Sequence, residues 1–343
     1  MDDINMINGF SHQALSSSLS KENFHLILYP TEQCNFRCVY CYEDFEIGQM
    51  PTWLVDATKL LIEKKANSLK LLSLSWFGGE PLLAKDIVFD LAEHALQLAE
   101  KYHFKLGGDM TTNGLLLDVK TLSKLISLKQ DHFQISIDGD QQGHDQTRVT
   151  RTGKGSFDKI WARLIAAAET TLPFKITLRI HVTDFNQESV LQFCERFDQH
   201  LAQDDRFVLF FKAIENLGGD NTENVKQLIE RKTAKLFAKN QTEKYRKNSF
   251  DLNKKGNYIC YAGKPNSIAI RANGELNKCT VALSDPKNKI GQINKDGTLT
   301  IKSKKMQTWL QGFTTLNSWQ MGCPLSYMNS NSTVGDIQIK KVG

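Results

Sequence analysis

Six short, β-rich apolar runs alternate with stretches of helical periodicity between residues 24 and 214. A chain patterned in this way is confined to repeated βα units, which lay parallel strands side by side and return through helices. The runs are FHLILYP (24–30), LLSLSWF (71–77), KLGGDMTT (105–112), HFQISID (132–138), FKITLRIHV (174–182) and RFVLFFKAI (206–214). Between them, apolar residues recur at three- and four-residue spacing over 52–67, 85–104, 118–129, 156–171 and 187–202, which predicts helices there. Six strands are too few for an eight-fold barrel. The expected α/β architecture is an open, partial (β/α)6 barrel with working loops at the C-terminal ends of the strands.

After Asn216 the pattern changes. LGGDNTEN reads as a linker and cap, 222–247 as a charged helix or helix pair, and from about Tyr258 the text becomes strands and turns. SIAIRA and ELNKCTV flank Asn273-Gly274, a two-residue hairpin signal, and KIGQI and TLTI flank Asp296-Gly297 ahead of a helix expected at 303–312. The predicted organisation is an N-terminal extension (1–23), the partial barrel (24–216), a helical linker (217–257) and a small α+β C-terminal domain (258–343).

The 343 residues carry a formal charge of only +5, with no block of like charges that would read as a nucleic-acid arm or a polybasic membrane tether. The N-terminus, MDDINMINGF, has neither a basic nor an apolar signal region, and no segment approaches the roughly eighteen consecutive apolar residues of a membrane span. Neither a nucleic-acid nor a membrane partner is expected, and a cytoplasmic location is. The seven cysteines are an odd number, at 34, 38, 41, 194, 260, 279 and 323. In a chain of this length without a signal peptide, clustered thiols read as metal or cluster ligands rather than disulfides.

The loop after the first run is Cys34-Asn-Phe-Arg-Cys38-Val-Tyr-Cys41, a C-x3-C-x2-C spacing. Three thiolates on one loop can hold three irons of a [4Fe–4S] cube, whereas full protein ligation takes four cysteines. The fourth iron could then chelate the amino and carboxylate groups of S-adenosylmethionine (SAM), and one electron passed into the sulfonium would break its bond to C5′. A zinc site is the competing reading, but structural zinc takes four ligands, and no fourth Cys or His is suitably spaced in the loop.

At the end of the second run stands Phe77-Gly78-Gly79-Glu80-Pro81. Gly78 and Gly79 free the backbone to approach a ligand, and Glu80 offers an acceptor for an ammonium group. Thr111-Thr112-Asn113-Gly114 and Ser136-Ile137-Asp138-Gly139 close the third and fourth runs. Each alone is only a turn. Together they set polar or glycine loops at the same ends of consecutive strands, where a parallel sheet builds its site.

CNFRCVYC, GGEP, TTNG, SIDG, His144-Asp145-Gln146-Thr147-Arg148 and GKGSF (153–157) together resemble the radical SAM superfamily over about residues 24–215. Within it, they resemble the branch of sulfatase-maturating enzymes and ribosomal-peptide (RiPP) maturases with SPASM or twitch C-terminal domains. The resemblance implies a SAM-binding [4Fe–4S] cluster on Cys34, Cys38 and Cys41, the backbone of Tyr40 against the adenine, and the segment of Gly78, Gly79 and Glu80 against the SAM amine. It also implies Ser136 near the ribose and Arg148 toward the carboxylate. A precursor peptide as substrate and a flavodoxin- or ferredoxin-like electron donor follow from the same likeness.

A second cysteine set lies in the C-terminal region, where Cys260, Gly274 and Cys279 form a C-x13-G-x4-C pattern and Cys323 stands in Gly322-Cys323-Pro324. This resembles the start and the last cysteine of a SPASM/twitch domain, with the intervening cysteines missing and Trp319 standing where the preceding one would be. The resemblance implies one auxiliary [4Fe–4S] cluster with three evident ligands; the plain reading is three buried thiols. Cys194, on a helical pattern outside the barrel, reads as a core thiol.

Where sulfatase-maturating relatives carry an aspartate base after the cysteine, this chain has Thr280, which is not a useful general base. The leading expectation is therefore a RiPP maturase that forms a crosslink or an epimer through a 5′-deoxyadenosyl radical. The other readings are a small-molecule enzyme of the molybdenum-cofactor-cyclase type, a sulfatase-maturase-like oxidase, and a non-catalytic iron–sulfur protein that binds peptide. No catalytic acid, base or hydrogen donor can be named from the sequence.

Overall fold

The structure, a computed structural model, describes residues 6–245 and 258–334. A small N-terminal unit of β1 (Met6–Ile7), β2 (Phe10–Ser11) and α1 (His12–Leu19) precedes the barrel. The barrel runs β3 (Asn23–Thr31), α2 (Thr52–Ala66), β4 (Leu71–Gly78), α3 (Lys85–Tyr102), β5 (Lys105–Thr112), α4 (Val119–Ser127), β6 (Gln130–Ile137), α5 (Gln141–Thr147), α6 (Phe157–Ala168), β7 (Lys175–Val182), α7 (Gln187–His200) and β8 (Phe207–Ala213). Then follow α8 (Thr222–Leu228) and α9 (Ala234–Lys244). The C-terminal region holds β9 (Ser267–Ile270), β10 (Glu275–Asn277), β11 (Lys289–Ile293), β12 (Leu299–Ile301), α10 (Ser303–Leu310), α11 (Gly312–Thr315), α12 (Ser318–Gly322) and α13 (Pro324–Val334). The end of the expected linker helix, 246–247, lies outside the described residues.

Strands β3 to β8 are parallel and neighbours in chain order, as the alternating pattern predicts. Their two faces differ sharply. In β7, Ile176, Leu178, Ile180 and Val182 are buried in the core, whereas Lys175, Thr177, Arg179 and His181 occupy the opposite, partly open face. This period-two alternation sets an apolar outer face under the helices and a polar inner face toward the site. Helix α3 seals its stretch with Val88, Leu91, Ala92, Ala95, Leu98 and Ala99, all at helical spacing. Truncating Leu91, which is fully enclosed, to alanine would cost about 2–5 kcal/mol.

The sheet does not stop at the expected domain boundary. Strand β9 pairs in parallel with β3, and β10, β11 and β12 continue antiparallel, giving one ten-stranded sheet in the order β12-β11-β10-β9-β3-β4-β5-β6-β7-β8. The C-terminal region is thus built as an extension of the barrel wall beside its first strand. The N-terminal unit braces it: Phe10 and Leu15 pack with Ile259 and Met321, and Asn266 Nδ2 donates to the carbonyls of Ser17 and Ser20.

Both expected hairpins exist, but neither has a two-residue turn. Gly274 N–H donates to Arg271 O at 2.8 Å with Gly274 at φ +84°, and Gly297 N–H donates to Asn294 O at 2.9 Å with Gly297 at φ +80°. Each is a four-residue turn closed by a left-handed glycine, the form that a longer hairpin loop adopts around a type I turn. The side chains of Asn273 and Asp296 reinforce it by accepting from the N–H two residues on, Glu275 and Thr298. Among the described residues, no helix is long and apolar enough to cross a membrane.

Candidate functional site

The cysteine loop leaves β3 at the C-terminal end of the sheet and is tied down along its length. Arg37 N–H donates to Val149 O (2.7 Å), Val39 N–H to Thr147 O (3.0 Å), and Arg151 N–H to Asn35 O (2.8 Å). The segment Thr147–Arg151 is therefore the backbone partner of the cysteine loop. From the other side, Asn221 and Asn224, at the start of α8, donate to the carbonyls of Cys41 and Val39. The root of the loop is fixed by Glu32, whose carboxylate is held by the Arg271 guanidinium and by Ala272 N–H, across the seam with the C-terminal region.

Cys34, Cys38 and Cys41 all line one cavity, shared with Tyr40, Gly78, Gly79, Thr112, Asn113, Ser136 and Arg148. Burial pushes the Cys34 and Cys41 thiols up to about 12 and raises Cys38 as well. Thiols so enclosed give up their protons only to a metal, so the set is an inert one until loaded. Among the described residues, no three His, Cys, Asp or Glu side chains sit at the close spacing that a single metal ion needs.

Glu80 is placed differently from the sequence expectation. It is fully buried off the cavity wall, and both carboxylate oxygens are taken: Oε1 accepts from Leu82 N–H (3.0 Å) and Thr112 Oγ1 (2.8 Å), and Oε2 from Asn113 N–H (2.7 Å). Its role in this fold is to bolt the turn after β4 to the turn after β5. Asn113, thus fixed, reaches back with Nδ2 to Asn35 Oδ1 at 2.7 Å in the cysteine loop. Three consecutive strand ends are joined through one buried carboxylate.

A network that sequence reasoning missed lies on the β6–β7 wall. Arg179 Nε–H donates to His181 Nε2 (3.0 Å), so the His181 proton sits on Nδ1, facing Tyr40 Oη (3.1 Å) and Asp138 Oδ1 (3.2 Å). Asp138, almost fully buried, also accepts from Tyr40 Oη (2.6 Å) and Thr147 Oγ1 (2.6 Å). Arg148 Nη1 donates to Tyr40 Oη at 2.9 Å. Burial works against the Asp138 charge, but the His181 hydrogen bond and the Arg148 charge hold the carboxyl below its usual range. The legible signal was in β7, where Arg179 and His181 stand two apart on the polar face of a strand whose other face is apolar.

Burial lowers His181 to about 4, and likewise His144 and His25. Each is neutral when folded and protonates near 6.5 when unfolded, so the unfolded chain binds more protons between these values. Stability is fully present above about pH 6.5 and is lost as pH falls toward 4. For the enclosed His144 this amounts to at most about 3 kcal/mol. Thermal melts of the iron-free protein should show a lower melting temperature at pH 5 than at pH 7, with a smaller drop in His144→Gln; equal drops would contradict it.

Of the second cysteine set, Cys279 is buried and Cys260 and Cys323 are half-buried. Burial, with Cys260 and Cys323 nearby, pushes the Cys279 thiol up to about 11, and burial with Cys323 nearby raises Cys260. Cys260 N–H donates to Met321 O (3.0 Å), and Cys323 Sγ lies 3.1 Å from Ser326 Oγ. Asn288, fully buried, wraps the Cys279 turn, accepting from Lys278 and Cys279 N–H and donating to the carbonyls of Cys279 and Ala282. Thr280 reaches the first cavity, and its Oγ1 lies 2.8 Å from Tyr261 Oη. Tyr261 Oη also accepts from Thr280 N–H (3.0 Å). Cys194 is buried in the core with Val190, Phe193 and Phe197 of α7.

The first cavity suits the groups its cysteines imply. Three thiols can ligate three irons. Two polar atoms on buried wall residues, Glu43 Oε2 and Arg148 Nε, lack a hydrogen-bond partner among the described residues. One can accept and the other donate, which complements a ligand that carries an ammonium and a carboxylate.

Residues 28–197 match the Radical SAM superfamily. Among curated proteins, a probable GTP 3′,8-cyclase of Saccharolobus islandicus is 31% identical over 166 residues (48% of this chain, 50% of that protein). The PqqA peptide cyclase of Gluconobacter oxydans is 28% identical over 171 residues (49% and 43%). The chain spans half or less of the length of the curated relatives it matches. Among solved structures, anSMEcpe with bound AdoMet superposes with a TM-score of 0.66 at 18% identity, covering 88% of each chain. Streptococcus suis SuiB bound to precursor peptide SuiA gives 0.52 at 16% identity, covering 91% of this chain and 72% of that one. The fold of both is this fold, and through residues 28–197 the chain belongs to the radical SAM superfamily.

Proposed function

We propose that this chain is a radical SAM enzyme that abstracts hydrogen from a residue of a peptide, as a RiPP maturase. One observation carries the peptide reading. The cavity at the cysteine loop continues past Ala213, Ile214, Glu215, Leu217 and Val281 into an outer cavity of about 1020 Å³ between β8, α8 and α13. A chain-like substrate can lie in the outer cavity with one residue in the inner. Both solved relatives above share the fold, and one of them, SuiB, is bound to a precursor peptide.

In this reading Cys34, Cys38 and Cys41 hold the cluster, which, when bound, supplies the electron that cleaves SAM to a 5′-deoxyadenosyl radical. Gly78 and Gly79 bring bare backbone against SAM, the Tyr40 backbone faces the adenine, Ser136 the ribose, and Arg148 the carboxylate. Burial and the neighbouring Glu32 push Glu43 up to about 8, and an ammonium beside it would favour its charged form. Thr280, a neutral hydroxyl bonded to Tyr261, stands in place of a base and turns the chain away from sulfatase-type oxidation. Cys260, Cys279 and Cys323 hold an auxiliary [4Fe–4S] cluster in a C-terminal domain of 258–343. We place the enzyme in the cytoplasm, served by a flavodoxin- or ferredoxin-like donor.

Anaerobically reconstituted protein given SAM and dithionite should form 5′-deoxyadenosine, and a short peptide encoded beside its gene should gain a crosslink or a solvent-derived hydrogen visible by mass spectrometry in deuterated buffer. The sequence likeness to GTP 3′,8-cyclases and the three-cysteine auxiliary set favour a second reading, a small-molecule substrate. Consumption of GTP, with the peptide unchanged, would replace the first reading by that one.

A further inference from the structure

Arg179 stands on the inward face of β7, where the strand register sets Ser136 of β6 on one side and Phe210 of β8 on the other. Its guanidinium is fixed from two directions. Nε–H donates to His181 Nε2 at 3.0 Å, and the guanidinium carbon lies 5.7 Å from the centre of the Phe210 ring. The residue lines the inner cavity, yet among the described residues neither Nη makes a hydrogen bond or an ion pair. Both Nη groups therefore offer N–H donors to the cavity, in the planar fork that fits a carboxylate.

The other charges on this wall are answered. Lys212 pairs with Glu215 at 2.8 Å, and Glu215 also faces Lys235 at 3.6 Å. Arg148 donates to Tyr40 Oη, which donates in turn to Asp138. The unpartnered Glu43 Oε2 and Arg148 Nε already complement the ammonium and the carboxylate of SAM. Arg179 is left over, and its position says which ligand it serves. Its neighbour Ser136 is assigned to the ribose, while Ala213, Ile214 and Glu215, at the end of the strand on its other side, line both the inner and the outer cavity. The fork thus stands where SAM ends and the passage for a substrate begins.

We propose that Arg179 binds a carboxylate of the peptide substrate, and so selects peptides that carry an acidic group beside the residue to be modified. The inference rests on the peptide reading above. Held at Nε and stacked on Phe210, the fork is ready-made, so little side-chain freedom is lost when the carboxylate arrives. A peptide without that group leaves two donors desolvated and unmatched. Two sources can supply it, an Asp or Glu side chain or the C-terminus of the peptide itself.

The test pans short random peptides, displayed on phage with free C-termini, against reconstituted protein loaded with SAM. Retained peptides are then synthesised and their affinities read by fluorescence anisotropy. They should share an Asp or Glu at one position, or lose binding when the C-terminus is amidated, and these two outcomes separate the sources. Converting that carboxylate to the amide should weaken binding to the parent about 10- to 100-fold. The same conversion should change little in Arg179→Gln, whose affinity for the acidic peptide has already fallen by a similar factor. Arg179→Lys, which keeps the charge without the fork, should lie between the two. Retained peptides with no shared carboxylate, or an equal penalty for the amide in Arg179→Gln, overturn the proposal and leave the peptide reading standing. Loss of SAM affinity in Arg179→Gln with the acid preference intact gives the fork to SAM and overturns it as well. If no peptide is retained, the peptide reading itself fails and the proposal falls with it.

Discussion

Replacing Cys34, Cys38 and Cys41 together by alanine should remove about four irons and all SAM cleavage while leaving the fold intact. The loop that carries them is held by its backbone and by neighbours, not by the thiols: residues 35, 37 and 39 bond across to residues 147–151, and Asn113, Asn221 and Asn224 grip it through side-chain amides. The cysteine side chains add burial but few bonds, and alanine at each would keep the main chain where it is. Circular dichroism should match the parent, while iron assay and 5′-deoxyadenosine chromatography should show the losses. Undiminished 5′-deoxyadenosine from this variant would sink the assignment of the site.

The barrel was legible because its two periodicities are clean. Runs such as β7 alternate strictly, and helices such as α3 keep one apolar stripe, so six strands and five helices fall where the pattern puts them. The N-terminal helix α1 was not legible. Eight residues rich in serine show no stripe, and what identifies the helix is the Ser11 side chain accepting from Ala14 N–H, together with burial against Met321, more than three hundred residues away in the chain. Continuity of the sheet was hidden for a related reason. A pattern of strands tells which face is apolar but not which edges meet, and the β3–β9 pairing joins segments far apart in sequence.

The site divides the same way. That Cys34, Cys38, Cys41, Gly78 and Gly79 gather at one cavity follows from their places at the ends of neighbouring strands. Glu80, Asp138 and His181 act through partners on other strands, which local spacing does not reveal. Glu80 read as a ligand because a carboxylate beside two glycines at a strand end offers an acceptor. Instead it is satisfied by Leu82, Thr112 and Asn113, and a buried carboxylate already holding such bonds has little left for a ligand.

The same geometry changes what the two glycines are for. A Cβ at Gly78 would lie 2.2 Å from Thr31 O, and one at Gly79 would lie 2.5 Å from Gln33 O, so the space each vacates is filled by the main chain at the root of the cysteine loop. Gly79 therefore lets the β4 turn nest against residues 32–33, with Glu80 N–H donating to Gln33 O at 3.0 Å. Backbone cannot yield as a side-chain tip can, so even alanine must push Gln33, and Cys34 beside it, out of place. Overpacking of this kind costs about 1–3 kcal/mol, and at Gly78 the φ of +107° adds strain for any other residue. Gly79→Ala should therefore lose iron from the first cluster as well as SAM affinity, and Gly78→Val should do so more severely. The measurement is iron content beside equilibrium SAM binding, in the variant lacking Cys260, Cys279 and Cys323 so that only the first site is counted. Full iron loading with only SAM binding lost would show that the glycines clear space for the ligand alone, and that the contact with the loop root is slack enough to absorb a methyl group.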